Sequence, residues 1–223
     1  MIKKASIILL SIVLAFAFSA CSNITSKPTE KETITFSNDN EISTSDNKQS
    51  TENKSEENEQ MNPSVLVVYF SATGTTKRIA ETTAELLNAD IFEILPQQPY
   101  TDEDLAYYTN GRADREQNDP SARPAISGSV KNMDEYDTII LGYPIWHSQA
   151  PRIINTFLES YNFAGKTIIP FCTSHSSGIG SSDTDLHSLC SDRTSWIKGK
   201  RFSSDTSHSD VNEWLNSIDS LKS

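Results

Sequence analysis

The 223-residue chain is short of several things, and each shortage narrows what it can be. It has 19 basic residues against 30 acidic ones, a formal charge of -11, which argues against nucleic acid as a partner because phosphate binding needs the opposite sign. It has three cysteines, too few for a disulfide-stapled scaffold. No His/Cys/Asp grouping has metal-ligand spacing, so no metal site is expected, and no Gly-x-Ser-x-Gly nucleophile elbow is present. No internal repeat is apparent. No catalytic side chain declares itself.

One long apolar run exists, from Ala5 to Phe18, and it is too short for a comfortable membrane span. It follows Met1-Ile2-Lys3-Lys4 and breaks into Ser19-Ala20-Cys21, the layout of an export signal. Cys21 stands where a bacterial lipoprotein signal places its lipidated cysteine, although Phe18 departs from the leucine usual three residues earlier. The alternative is an uncleaved anchor with an incidental cysteine. Either way, the body of the protein is expected outside the cytoplasm and held at the membrane, with residues 1–20 as the signal. From 21 to 61 the chain is mostly Ser, Thr, Glu, Asn and Lys, which cannot bury enough surface to offset its ordering entropy; a solvated tether is expected. The folded unit is then Asn62 to Ser223, one domain with room for a core.

Within that unit, strand and helix patterns alternate. Val65–Phe70, Thr138–Gly142 and Thr167–Cys172 are continuous apolar runs, as expected of strands buried on both faces of a parallel sheet. Asp90–Leu95 alternates like a half-exposed edge strand, and a short strand is expected near Gly199–Ser203. Helices are predicted after the Ser71–Thr76 turn, around Asp102–Glu116, over Ala150–Tyr161, near Ser182–Ser191, and from an N-cap at Asp210 to Leu221. The alternation implies a doubly wound three-layer α/β sandwich.

Ser71-Ala72-Thr73-Gly74-Thr75-Thr76 is the most informative segment. A strand opens into small hydroxyl residues around one glycine and then into a helix, which aims backbone N–H groups at an anion. No lysine lies in the loop, and the glycine spacing fits neither the nucleoside-triphosphate loop nor the dinucleotide fingerprint. An ordinary capped strand–helix turn would look the same in isolation. The loop, however, resembles the [ST]-x-T-G-x-T phosphate loop of flavodoxins. Gly142–Trp146 after the third strand and Thr173–Gly180 after the fourth fall where that family carries its two flavin-contacting loops. The resemblance runs from about Pro63 to Leu221.

It implies a flavodoxin-like, five-stranded parallel sheet of order 2-1-3-4-5, and non-covalent FMN bound at the carboxyl ends of the strands. By the same resemblance, Ser71, Ala72, Thr73, Gly74, Thr75 and Thr76 hold the phosphate. Pro144, Ile145 and Trp146 meet the isoalloxazine ring, and Thr173, Ser174, His175 and Gly178 its pyrimidine side. Core packing is the alternative for Trp146, and His147 reads as a solvent-facing loop residue at least as well as a flavin ligand. Trp146 is followed by His147 and Ser148 rather than the glycine usual in short electron carriers, which leaves two-electron chemistry open. Tyr107, Tyr108, Arg112, Arg115 and Arg123 either cover the flavin or belong to a surface helix and an irregular loop. Cys172 and Cys190 are expected to be two packed thiols more than a bridge. The implied activity is electron transfer with a redox partner protein or a small acceptor. The alternatives are an FMN-dependent quinone-type reductase, for which no nicotinamide fingerprint is seen, and a flavin-free binding module.

Overall fold

The computed structural model describes residues 64–222. The expected signal at 1–20, the lipidation site at Cys21 and the tether at 21–61 lie outside the described residues.

The elements follow in the order β1 (Val65–Tyr69), α1 (Thr75–Leu87), β2 (Asp90–Glu93), β3 (Leu95–Pro96), α2 (Asp102–Leu105), α3 (Arg112–Asn118), β4 (Ile126–Ser127), β5 (Thr138–Pro144), α4 (Arg152–Glu159), β6 (Thr167–Thr173), β7 (Ser195–Trp196), β8 (Lys200–Phe202) and α5 (His208–Asn216). The main sheet is wholly parallel, with β2-β1-β5-β6 in line and β6 flanked on its other edge by β7 and then β8. That is the expected order 2-1-3-4-5, with the fifth strand broken into two pieces. The break falls at Ile197–Gly199, where the Asp183 carboxylate accepts the Gly199 N–H at 3.2 Å.

β1, β5 and β6 are apolar throughout because both of their faces are covered. Leu66, Val68 and Phe70 face one layer with Ile139, Leu141 and Tyr143, packed against Ile153, Ile154 and Phe157 of α4. Val67 and Tyr69 face the other with Ile140, Ile169 and Phe171, packed against Ile79 of α1 and Val211, Trp214 and Leu215 of α5. Alternate residues of a strand point to opposite faces, so one apolar run feeds two cores.

The structure departs from the sequence reading in four places. The helix predicted over Asp102–Glu116 is two helices, α2 and α3, because a Thr101–Asp104 capping box starts the first and the chain turns at Leu105–Gly111. Tyr108 and Asn110 take positive φ there, of 59° and 58°. The segment predicted as a helix near Ser182–Ser191 is a 3-10 helix at Thr184–Leu189. The last helix is capped by Ser207, with Asp210 three residues in as the reciprocal member of the capping box; Ile218 and Leu221 lie beyond its end. A two-stranded antiparallel ribbon, β3 with β4, was not foreseen.

Candidate functional site

Three strand ends, those of β1, β5 and β6, converge on one cavity of about 300 Å³, at the lower end of the range for small-molecule sites. Its floor is the turn into α1. Gly74 sits at the helix N-cap with φ 89°, a conformation that costs a side chain, and no side chain caps the helix. The first turn carries no acidic residue. The leading N–H groups of α1 therefore face the cavity with the positive end of the helix dipole behind them. Ser71 accepts the Gly74 N–H at 3.1 Å and closes the loop from behind. Thr76 is 1% exposed, and its hydroxyl meets that of Thr173 at 2.7 Å, which ties the α1 floor to the end of β6. Thr73 and Thr75 also line the cavity.

The second wall comes from β5. Trp146 packs edge-on against Phe70 and Tyr100, with ring centroids 5.5 and 5.4 Å away. Trp146 and Gln149 exchange both backbone hydrogen bonds at 2.9 Å, closing a two-residue turn in which His147 and Ser148 have φ of 48° and 64°. Paired positive φ values are the mark of a type I′ turn, normally filled by Asn and Gly. Here a histidine is held in that conformation. Its Nε2 lies 2.9 Å from Asp114 Oδ1, and the Tyr107 ring lies over its imidazole at 5.1 Å. The Asn110 N–H donates to the other carboxylate oxygen at 3.0 Å. The hydrogen bond from His147 holds the Asp114 carboxyl below the usual carboxylate range, against a smaller opposing effect of burial.

The third wall is the turn after β6. The Ser174 and His175 carbonyls accept from Arg201 Nη2 at 2.8 and 2.7 Å, and Ser174 also bonds the Ser177 carbonyl. Arg201 thus shapes the loop from outside the cavity.

Of the residues expected at the site, Ala72, Thr73, Thr75, Thr76, Pro144, Trp146, Thr173, Ser174 and His175 line the cavity. Ser71, Gly74, Ile145 and Gly178 do not: the first two build the floor, and Ile145 packs against the core. Trp146 both lines the cavity and packs on the core. Leu105, Ala113, Asp114 and Ser204 also line the cavity and were not foreseen. Ser204 had a signal, since it follows the last parallel strand at its ligand-binding end; Asp114 had none. Tyr107 and His147 reach the cavity. Arg112 instead lies over the Tyr100 ring and bonds the carbonyls of Gln98 and Pro99, Arg115 bonds the Asn110 carbonyl, and Arg123 clasps Glu159. Cys172 and Cys190 are both free thiols. Among the described residues, no group of acidic, His and Cys side chains could hold a metal.

A family profile described as Flavodoxin matches residues 64–218. The chain is 43% identical to a candidate flavoprotein from Bacteroides eggerthii DSM 20697, over 70% of this chain and 98% of that one, with a TM-score of 0.66. A second from Bacteroides uniformis ATCC 8492 is 42% identical over 70% and 99%, again at 0.66. A flavoprotein from Lactobacillus acidophilus NCFM, solved in complex with FMN, is 24% identical over 68% and 98%, with a TM-score of 0.52; at that identity the likeness is one of fold. No curated protein sequence matches the chain.

Proposed function

The chain belongs to the flavodoxin family, and from that premise we propose that it binds FMN in the cavity at the ends of β1, β5 and β6 and serves in electron transfer outside the cytoplasm. One observation supports the reading above the others. The uncapped N-terminus of α1, free of acidic residues and flanked by Thr73 and Thr75, opens into a cavity whose opposite wall is Trp146. A phosphate suits the first feature and a flat aromatic ring the second.

The residues present fit the group. The α1 N-terminus and the hydroxyls of Thr73 and Thr75 would hold the phosphate. Trp146 and Pro144 would bear on the ring, with Thr173, Ser174 and His175 on the facing wall. When bound, FMN supplies the electron-accepting ring, and that chemistry belongs to the cofactor. The protein binds, orients and shields it. The buried hydroxyl bond between Thr76 and Thr173 fixes the spacing between the phosphate end and the facing wall.

Purified protein should be yellow or take up added FMN with quenching of its fluorescence, and release it on denaturation. A colourless protein that refuses FMN at high micromolar concentration sinks the reading. The tether rests on the leader and Cys21 alone. Membrane fractionation tests it: C21S should move the chain to the soluble fraction, and an unchanged distribution argues against lipidation. The redox partner that this activity requires is a protein or a small electron acceptor.

A further inference from the structure

Among the described residues, no lysine and no arginine line the cavity; the ionisable side chains there are Tyr107, Asp114, His147 and His175. Among the described residues, a cofactor that gains negative charge there meets two lining side chains that can take up a proton to become cations, both imidazoles. Their surroundings differ. His175 has the Arg201 guanidinium bonded to its own carbonyl at 2.7 Å. His147 has the Asp114 carboxylate at 2.9 Å, with side chains 22% and 8% exposed for histidine and aspartate. Because that carboxylate is held ionised, it accepts, so Nε2 of the imidazole carries the hydrogen and Nδ1 is the open acceptor. Nδ1 makes no hydrogen bond to any described residue. The groups packed on the ring are Asp114 from α3 and Tyr107 and Tyr108 from the α2–α3 connection, with His175 elsewhere on the cavity wall. The chain also tolerates two adjacent non-glycine residues at positive φ to keep the imidazole in this place.

We propose that His147 is the proton-binding group of the cavity, taking up one proton when the bound flavin is reduced, and that Asp114 is the positioning residue that sets its tautomer. The proposal rests on the FMN reading above. Two electrons from a sulfoxy reductant such as dithionite, which is oxidised to sulfite, and one proton from solvent reduce the flavin. The extra proton comes from solvent and forms the Nδ1–H bond, and no other bond at His147 is made or broken. Asp114 stays ionised and balances the imidazolium.

The test is a spectroelectrochemical titration of the FMN-loaded full chain with dithionite from pH 5.5 to 8.5. The wild type should show a midpoint potential that falls with pH by one proton per electron pair more than H147N does, a slope difference of about 30 mV per pH unit. Asparagine is the chosen replacement because it adopts the left-handed region readily. D114N should move the steep part of the curve to lower pH, which a purely structural aspartate would not do. A second measurement needs no substitution: the His147 ring resonance should shift toward the imidazolium position on reduction at neutral pH. Equal slopes in the wild type and H147N, an effect in H175N instead, or a His147 resonance unmoved by reduction overturns the proposal while leaving FMN binding intact. A wild type that takes no FMN overturns the cavity reading and the proposal together.

Discussion

The bond between Thr76 and Thr173 can be tested as a coupled pair. Their hydroxyls are 2.7 Å apart, the residues are 1% and 4% exposed, and 97 residues of chain separate them. Replacing either threonine with valine keeps the shape and leaves the partner hydroxyl buried without its bond. An orphaned buried hydroxyl costs about 1–3 kcal/mol, against a net gain of about 1 kcal/mol for the intact bond. T76V and T173V should therefore each lower stability by about 1–2 kcal/mol, a sizeable share of the roughly 5–15 kcal/mol that holds a domain together. The double variant removes both polar groups at once and should cost no more than either single change. The coupling is then about 1–2 kcal/mol, read from urea midpoints of the flavin-free protein at unchanged m-value. Costs that add within about 0.5 kcal/mol would show that the two walls of the cavity are not joined through these hydroxyls.

Gly142 lies in β5 under the Phe171 ring, and a Cβ there would come within 2.2 Å of Phe171 Cζ. G142A should destabilise by about 1–3 kcal/mol through overpacking, with partial rescue by F171L; a thermal midpoint equal to wild type would contradict the packing. Burial pushes the Cys172 thiol up to about 12 and Cys190 up to about 11. In the C21S chain, neither should react with a thiol-exchange reagent at pH 8 until the protein is unfolded. Because the folded state holds these protons more tightly than the unfolded one, the stability they contribute is complete below about pH 8.5 and is lost as pH rises toward 11–12. Urea midpoints at pH 8 and 10.5 check this, and a midpoint that rises with pH refutes it.

The main sheet was legible because its signal is large. Runs such as Val65–Phe70 and Thr167–Cys172 have no polar face to confuse their assignment, and the loops after them are where a parallel sheet binds ligands. The segment from Pro96 to Tyr136 was not legible, since its structure depends on contacts distant in sequence. Asp114 looks like any polar residue of a surface helix, yet it is buried because His147, 33 residues on, lies against it. His147 in turn reads as a loop residue until the Trp146–Gln149 turn is seen to aim it inward. The N-cap placed at Asp210 failed for a local reason: both members of the Ser207–Asp210 capping box have capping chemistry, and only the backbone decides between them.

The sheet order also bears on how the protein comes together in time. β5 and β6 pair Thr138 with Thr167, a short closure, whereas β1 pairs Val65 with Thr138 across roughly 70 residues that include the whole α2–α3 segment. Closing the longer loop costs more entropy, and contacts of that separation are slow to form. The turn that builds the cavity floor hangs from the end of β1, so the floor meets the β5 and β6 walls only once that longer loop has closed. Capture of FMN in a refolding experiment would then mark the closing of the β1–β5 loop, so the ligand doubles as a clock for that pairing.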